Sequence, residues 1–369
     1  MSSTSERWFG AGHSTAVDSA KAGAEAAAGA IAGRTPVAVF VFTSGGHDLA
    51  AIEAAVRAEA GAAVVVCGTG FGELSPAGAT EHGVAVAALG GPGFTVRAHT
   101  ADITALGARA AGAEAARAMA GIAAPHTALL LLADGAMRDP HEIVRGAYSV
   151  LGAAVPLAGG LTTSGSGQVV GVAIGSDRPI GIGIAHGWRR VEPPMVVTRA
   201  ADGRIYEFDG EPALDVLQRR RQATGTAAEL FDGGRNLCPI GLDRRSGLDI
   251  RSVHGGDDEE RFVFGTADIA QGSLVWLMEA ERDELIAGGP AALREAVGAL
   301  RGAEPLGVLA FDCGGRKLTL GDDGTAAEVA AMRGALDKPF AGFYTLGEIA
   351  RVRGAAGMHQ LTLVALALA

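Results

Sequence analysis

Short runs of apolar residues alternate along the chain with Ala-rich stretches that carry polar positions at helical spacing. An uninterrupted apolar run of this length is typical of a strand that is covered on both faces. The pattern therefore predicts an α/β fold in which strands are covered by helices. The predicted strands are residues 37–42, 63–67, 83–89, 128–133, 169–174, 274–278, 306–311 and 361–368, and the predicted helices are residues 49–60, 103–120, 140–151, 213–224, 290–301 and 326–336.

Residues 186–212 break this alternation and have the composition of a connection. They contain three prolines and two β-rich runs, MVVTRA and RIYEF, which are separated by a DG turn. Two such runs around a DG pair are typical of a β-hairpin. We therefore predict two domains, residues 1–195 and residues 196–369.

A long-range repeat relates the two parts of the chain. VAVFVFTSGGHD at 37–48 parallels LGVLAFDCGGRK at 306–317, and CGTGFGEL at 67–74 parallels GFYTLGEI at 342–349. Each second match is followed by a histidine, His82 or His359, and then by a closing strand. A fainter copy contains ALLLLADG, PLAGG and VVGVAI. The order of these matches predicts an internal duplication that gives two related halves.

Composition and charge then narrow the possible partners. The 369 residues carry 31 basic and 41 acidic side chains, a net charge of −10, which disfavours binding to nucleic acid. The apolar runs fall short of the ~20 residues that span a bilayer, so we expect no membrane partner. The three cysteines form no CxxC pair, which argues against structural zinc and fits a reducing compartment such as the cytoplasm.

The second copy of the repeat carries the strongest candidate for a binding site. Gly314 and Gly315 follow a predicted strand, where paired glycines let backbone N–H groups approach an anion. Arg316 adds a fork suited to a carboxylate, and Glu348 could accept an ammonium, so we expect a zwitterion such as an amino acid. The alternative is that Arg316 and Glu348 form a structural ion pair. The predicted ligand-binding residues are Cys313, Gly314, Gly315, Arg316, Tyr344, Thr345, Glu348 and His359, with Glu73 from the first copy.

Metal and nucleophile chemistry are less favoured by the residues. His47, Glu73 and His82 are ligand types found in a facial triad, but their spacing matches no compact motif, so we expect no metal. Cys313, beside two glycines and Arg316, could be a thiol of lowered pKa. No histidine lies near it in sequence to act as a base, and a buried inert cysteine is the favoured interpretation.

The chain resembles the FIST family, a two-part sensory domain of prokaryotic signalling proteins. The motifs that carry the resemblance are CGTGFGEL, HGWRRVEPPMVVTRAADGRIYEFDGEPALDVL, GVLAFDCGGRKLTLG, PFAGFYTLGEIARVRG and MHQLTLVALAL, and they extend from about Gly10 through nearly the whole chain. The chain departs from the family pattern at Asp312, where a serine is commoner. We also expect no attached kinase, cyclase or receptor module.

The resemblance implies a cytoplasmic protein that binds a small ligand and signals through a separate partner. No cofactor is expected, although some members of the family resemble haem-based nitric-oxide sensors, so haem remains an alternative. A second alternative is a stand-alone enzyme that reuses the same pocket, with Cys313, Glu348 and His359 as nucleophile or acid–base candidates.

Overall fold

The computed structural model describes residues 6–137, 139–224, 238–244, 247–265, 269–352 and 357–369. Its first copy of a repeated unit contains β1 (Trp8–Ser14), α1 (Ser19–Ile31), β2 (Ala38–Ser44), α2 (Leu49–Ala60), β3 (Val64–Gly70), β4 (Glu73–Ser75), β5 (Gly78–Thr80) and β6 (Val84–Gly90). The middle copy contains β7 (Phe94–Asp102), α3 (Ile103–Leu106), α4 (Ala108–Ala115), a 3₁₀ turn (Ala116–Met119), β8 (His126–Asp134), α5 (His141–Leu151), β9 (Leu157–Thr162) and β10 (Gln168–Ser176).

The last copy is interrupted by an inserted sheet. It begins with β11 (Ile180–Ala185). The insertion follows, with β12 (Arg189–Ala201), β13 (Arg204–Phe208), β14 (Glu211–Pro212), α6 (Ala213–Ala223), β15 (Cys238–Arg244), β16 (Gly247–Gly256), β17 (Val263–Gly265) and β18 (Leu274–Glu279). The copy then resumes with α7 (Arg282–Gly298), β19 (Gly307–Cys313), α8 (Gly314–Ala335), β20 (Phe340–Thr345), β21 (Glu348–Arg351), β22 (Met358–His359) and β23 (Leu363–Leu368).

The three copies share one sheet topology. In each, the first strand of the copy is antiparallel to the last, the last is antiparallel to the second, and the second is parallel to the third. The orders are β1-β6-β2-β3, β7-β10-β8-β9 and β11-β23-β19-β20. The predicted duplication is thus confirmed, and the fainter match corresponds to a third copy between the other two.

Alternate side chains of each strand enter two different cores. In β2, Val39 and Val41 pack with α1 and α2, whereas Phe40 and Phe42 enter a central core shared by all three sheets. Phe42 stacks on Phe343 of the last copy with ring centroids 5.2 Å apart. The helices therefore cover one face of each sheet. The other face is covered by the other two sheets, so the strands are covered on both faces, as the apolar runs predict.

A ring of hydrogen bonds joins the copies at the carboxyl ends of their third strands. The Phe71 N–H donates to the Tyr344 carbonyl at 2.8 Å, the Leu346 N–H to the Leu161 carbonyl at 3.1 Å, and the Thr163 N–H to the Thr69 carbonyl at 2.9 Å. By strand register, Gly70, Thr162 and Thr345 are equivalent, so these three bonds join equivalent positions. We call Phe71, Thr163 and Leu346 the ring positions.

Several predicted elements have other bounds in the structure. The helix predicted over 103–120 is broken at Gly107, which has a φ of +79°. The helix predicted over 290–301 begins at Arg282, because Glu281 and Glu284 form a capping box there. Residues 314 and 315, predicted as a turn, are the first residues of α8, which is kinked at Gly321. The predicted domain boundary lies within β12.

Candidate functional site

A cavity of about 730 Å³ opens where the strands of the first and last copies end. The ends of β2, β3, β19 and β20 form its floor, and the beginning of α8 forms one wall. The inserted sheet contributes Ser252 and His254 from β16. A position outside the carboxyl ends of parallel strands is where α/β sheets place ligands.

The lining combines charges of both signs with apolar side chains. The large apolar residues of the lining are Phe71, Leu318 and Leu346, which are 46%, 48% and 39% exposed. The lining residues are Ser44, Gly45, Gly70, Phe71, Glu81, His82, Ser252, His254, Cys313, Gly314, Gly315, Lys317, Leu318, Gly321, Asp322, Thr345, Leu346, Gln360 and Leu361.

Strand register shows that two sets of lining residues occupy equivalent positions. Ser44 pairs with Gly70 across β2 and β3 as Cys313 pairs with Thr345 across β19 and β20. The pairings of β2 with β6 and of β19 with β23 make Val84 equivalent to Leu363. We therefore define an N-terminal half-site, Ser44, Gly45, Gly70, Phe71, Glu81 and His82, and a C-terminal half-site, Cys313, Gly314, Thr345, Leu346, Gln360 and Leu361.

The backbone of the two half-sites repeats the same unusual geometry. His82 and Leu361 have positive φ angles of 62° and 56°, in a region that side chains other than glycine rarely adopt. The His82 N–H donates to the Ser44 hydroxyl at 2.8 Å, and the Leu361 N–H bonds the Cys313 sulfur. Since Leu361 is the equivalent of His82, the histidines that follow the two GE motifs in the sequence do not correspond to each other.

A buried glutamate supports each half-site from behind. Glu348 accepts hydrogen bonds from the Thr345 hydroxyl at 2.7 Å and from the Thr362 N–H at 3.1 Å. Glu73 accepts the equivalent N–H bond from Gly83, also at 3.1 Å. Burial raises the pKa of Glu73 and raises that of Glu348 to about 8. Neither carboxyl lines the cavity, but Thr345, which donates to Glu348, does.

Arg316 does not line the cavity, and its expected pairing with Glu348 is corrected by the structure. Its guanidinium is fully buried and donates to Asp312 at 2.8 Å, to Glu328, and to the carbonyls of Leu285 at 3.0 Å and His186. The helical start at Gly314 turns this side chain inward, toward α7. Arg316 thus belongs to an ion pair inside the protein, with partners that the sequence pattern did not indicate.

Lys317, the next residue, is the cation that reaches the cavity. Its ammonium donates to the Phe71 carbonyl at 2.8 Å and to the Glu81 carboxylate, and it lies 5.4 Å from the centre of the Tyr344 ring. Both hydrogen bonds cross from α8 to the first copy. The ion pair also lowers the pKa of Glu81, which therefore carries its full charge at neutral pH. With Asp322, Lys317 and Glu81 place both signs of charge around the cavity.

The chemistry of Cys313 is that of a neutral thiol. Burial, and then the charge of Glu348, raise the pKa of Cys313 well above its ordinary value. A thiol in that state is a poor nucleophile. Cys313, Gly314, Gly315 and Thr345 are the predicted site residues that line the cavity.

The remaining predicted residues lie behind the wall or away from it. Tyr344 is fully buried below Lys317, and His359 bonds the Ala350 carbonyl at 2.9 Å. Among the residues that the structure describes, no group of three or more metal-ligating side chains is present. His47, one member of the considered triad, bonds the carbonyl of His82 and the hydroxyl of Ser19 through its two ring nitrogens.

The sequence interpretation missed the contributions of the first copy and of the inserted sheet. Ser44 could have been found by carrying Cys313 of the candidate set back through the repeat, whereas Phe71, Glu81 and His82 correspond to Leu346, Gln360 and Leu361, which were not candidates. Ser252 and His254 carry no such signal, because β16 was not predicted as a strand.

Comparisons with known proteins identify the two regions. The sequence model of the FIST N domain matches residues 37–211, and that of the FIST C domain matches residues 213–351. No curated protein matches the chain. In the described part of the chain, no helix is long and apolar enough to cross a membrane.

Solved structures with a similar course of the chain are distant. One is described as "Cyanuric acid hydrolase: evolutionary innovation by structural concatenation"; it is 14% identical, the match covers 98% of this chain and 100% of that one, and the TM-score is 0.32. Another, T. maritima PurL complexed with FGAR, is 12% identical over 98% of this chain and 72% of that one, with a TM-score of 0.25. Similarity of this size says nothing about activity.

Proposed function

Since the chain belongs to the FIST family of sensory domains, we propose that it is a cytoplasmic sensor that binds a small zwitterion in the cavity between its two half-sites. The observation that carries the proposal is the cavity wall, where Lys317, Glu81 and Asp322 place both signs of charge beside exposed apolar side chains. An α-amino acid has the matching chemistry, a carboxylate and an ammonium on one carbon.

Lys317 is the group proposed to take the ligand carboxylate. Its present partner, Glu81, is itself 60% exposed at the side chain, so a ligand carboxylate can replace it without burying an unpaired charge. Glu81, released from Lys317, and Asp322 are then available for the ammonium. This exchange breaks the ion pair between Lys317 of α8 and Glu81 of the first copy. We propose that a separate signalling partner recognises the resulting change in the contact between α8 and the first copy.

Lys317→Ala tests the proposal against a matched control. Lys338 forms the same kind of ion pair, with Glu304 at 2.8 Å, and does not line the cavity. A charge-assisted hydrogen bond contributes about 1.5–3 kcal/mol. We therefore expect Lys317→Ala to weaken binding of an amino acid by about tenfold or more in isothermal titration calorimetry, whereas Lys338→Ala leaves it unchanged.

The alternatives give different results in the same samples. If no member of a panel of the twenty amino acids binds the wild-type protein, the proposal is wrong. Chemical conversion of the ligand during the titration indicates the enzyme instead. A Soret band in the absorption spectrum of the purified protein indicates the haem-based sensor.

A further inference from the structure

The three ring positions differ in what they place over the neighbouring copy. The Phe71 ring lies so close to Gly314 of the last copy that a Cβ added there would come within 2.5 Å of it. Leu346 lies over Gly135 of the middle copy in the same way, at 2.6 Å. By the strand registers, Gly314, Gly135 and Gly45 are equivalent, because each directly follows the last residue of its paired strand.

No residue that the structure describes fills the third place in this cycle. Thr163 stands at the ring position of the middle copy, and its N–H bonds the first copy as the other two ring positions bond theirs. Among the described residues, however, no atom lies within 4 Å of a Cβ added to Gly45. Two of the three equivalent glycines are therefore covered by a large apolar side chain, whereas no described side chain covers Gly45.

The strands added at the edges of the three sheets also differ between the copies. The segment after β3 adds β4 beside β20 of the last copy, and the segment after β20 adds β21 beside β9 of the middle copy. The segment after β9 is short, and within the described residues it adds no strand beside β3. The space that a third hairpin and a third apolar side chain would occupy lies over the first copy.

This space opens into the cavity. Ser44, Gly45 and Gly70 line it, and the apolar ring residues Phe71 and Leu346 line it as well. We propose that the space over Gly45 is an apolar subsite, which the hydrophobic side chain of an amino-acid ligand fills as Phe71 and Leu346 fill the two equivalent places. This inference rests on the proposed function, and it narrows the ligand class to amino acids with large aliphatic or aromatic side chains.

The size of the gap and its surroundings support that class. The occupants of the two filled places are a phenylalanine and a leucine, so a group of either volume fits the geometry of the third. Two polar side chains beside Gly45 already have partners, since the Ser44 hydroxyl accepts the His82 N–H and the His82 ring bonds the Gly45 carbonyl. The charges of Lys317 and Asp322 come from α8, in the last copy, which leaves the polar end of the ligand on that side.

A comparison of ligands separates this inference from the function on which it rests. Isothermal titration would use L-leucine and L-phenylalanine against glycine and L-aspartate, which share the zwitterionic head. Each buried CH₂ group contributes about 0.8 kcal/mol. We expect the apolar amino acids to bind at least about tenfold more tightly. If glycine or aspartate binds as tightly as leucine, or if only polar amino acids of the full panel bind, the subsite is wrong and the zwitterion sensor stands. If no amino acid of the panel binds, both fail.

Gly45→Leu then tests the position itself. The φ of Gly45 lies outside the left-handed region and a Cβ there meets no described atom, so the variant should fold normally. Gly298, at the end of α7, has the same freedom away from the cavity and provides the control Gly298→Leu. We expect Gly45→Leu to lose at least about tenfold in leucine affinity with glycine affinity little changed.

A second variant introduces a large side chain at Thr163, the ring position that corresponds to the space over Gly45. Thr163→Phe introduces a phenylalanine at the ring position equivalent to Phe71, and we expect it to compete with the ligand side chain in the same way. Unchanged selectivity for leucine over glycine in both Gly45→Leu and Thr163→Phe, with normal melting curves, would overturn the subsite.

Discussion

The N-terminal and C-terminal half-sites have the same backbone and different side chains. His82 and Leu361 share a positive φ, and Gly83 and Thr362 donate the same N–H bond to a buried glutamate. Yet Ser44, Glu81 and His82 face the cavity on one side, and Cys313, Gln360 and Leu361 on the other. The backbone geometry and the buried glutamate of the half-sites are therefore shared between the copies. The side chains that line the cavity have diverged.

We expect the largest difference in stability between the two copies at the residue that follows the two paired glycines. Arg316 is fully buried among Asp312 and Glu328, whereas His47, at the corresponding place, is half-buried and bonds only neutral groups. Arg316→Ala leaves a buried carboxylate without its counter-charge, which costs about 3–5 kcal/mol. Chemical denaturation should show that loss, and His47→Ala should cost under about 1 kcal/mol. Similar losses in both variants would show that Arg316 has no special structural role.

The two buried glutamates provide the next effect, through pH. The pKa of Glu348 is raised in the folded protein to about 8, so its neutral form favours folding below the ordinary carboxyl pKa, and this contribution is lost as pH rises through 8. Glu348→Gln should therefore remove a fall in stability on the order of 2–4 kcal/mol between pH 5 and pH 9.

Glu73→Gln is the matched variant for that measurement. Burial raises the pKa of Glu73 in the same direction, so the sign of its effect is the same, and we expect the change to be smaller. Melting temperatures of the two variants and the wild type at pH 5 and pH 9 give the comparison. A wild-type protein equally stable at both pH values would contradict the assignment of a neutral Glu348.

The smallest effect is expected where the half-sites exchange a hydroxyl for a thiol. Ser44 and Cys313 are equivalent, each accepts an N–H bond, and the raised pKa of Cys313 keeps its thiol neutral. Cys313→Ser should therefore change stability by less than about 1 kcal/mol and ligand affinity by less than about threefold. Native protein at pH 8 should react slowly with iodoacetamide, and rapid labelling of Cys313 relative to denatured protein would show a thiolate.

Much of the fold could be predicted because its central strands are uninterrupted apolar runs. The repeat was visible because Phe42 and Phe311 must fill the same shared core, and because a glycine directly precedes the glutamate that begins β4 and the one that begins β21. The helix α1 was missed: an Ala- and Gly-rich segment has little contrast between its faces, and it is held by packing on β1 and α2.

The candidate site was harder to predict, because the directions in which neighbouring side chains point decide which of them line the cavity. Arg316 and Lys317 are neighbours with the same charge, and only the helical start at Gly314 sends one into the protein and the other to the cavity. Charge matching alone paired Arg316 with Glu348. The partners of Arg316 are Asp312 and Glu328, and Glu328 lies 12 residues further along the chain in the same helix α8, where no local pattern distinguishes it from a solvated glutamate.

The strand β11 has a consequence for the order in which the molecule can assemble during synthesis. It leaves the ribosome before the inserted sheet, but its partner β23 is made only after β20, close to 180 residues later in the chain. Until then β11 presents unpaired backbone groups, which invite pairing with another chain. Its glycines, Gly181 and Gly183, lie against α7, itself made about a hundred residues later. One strand of the region matched by the FIST N domain, β11, thus pairs with a strand that the ribosome adds only near the end of the chain.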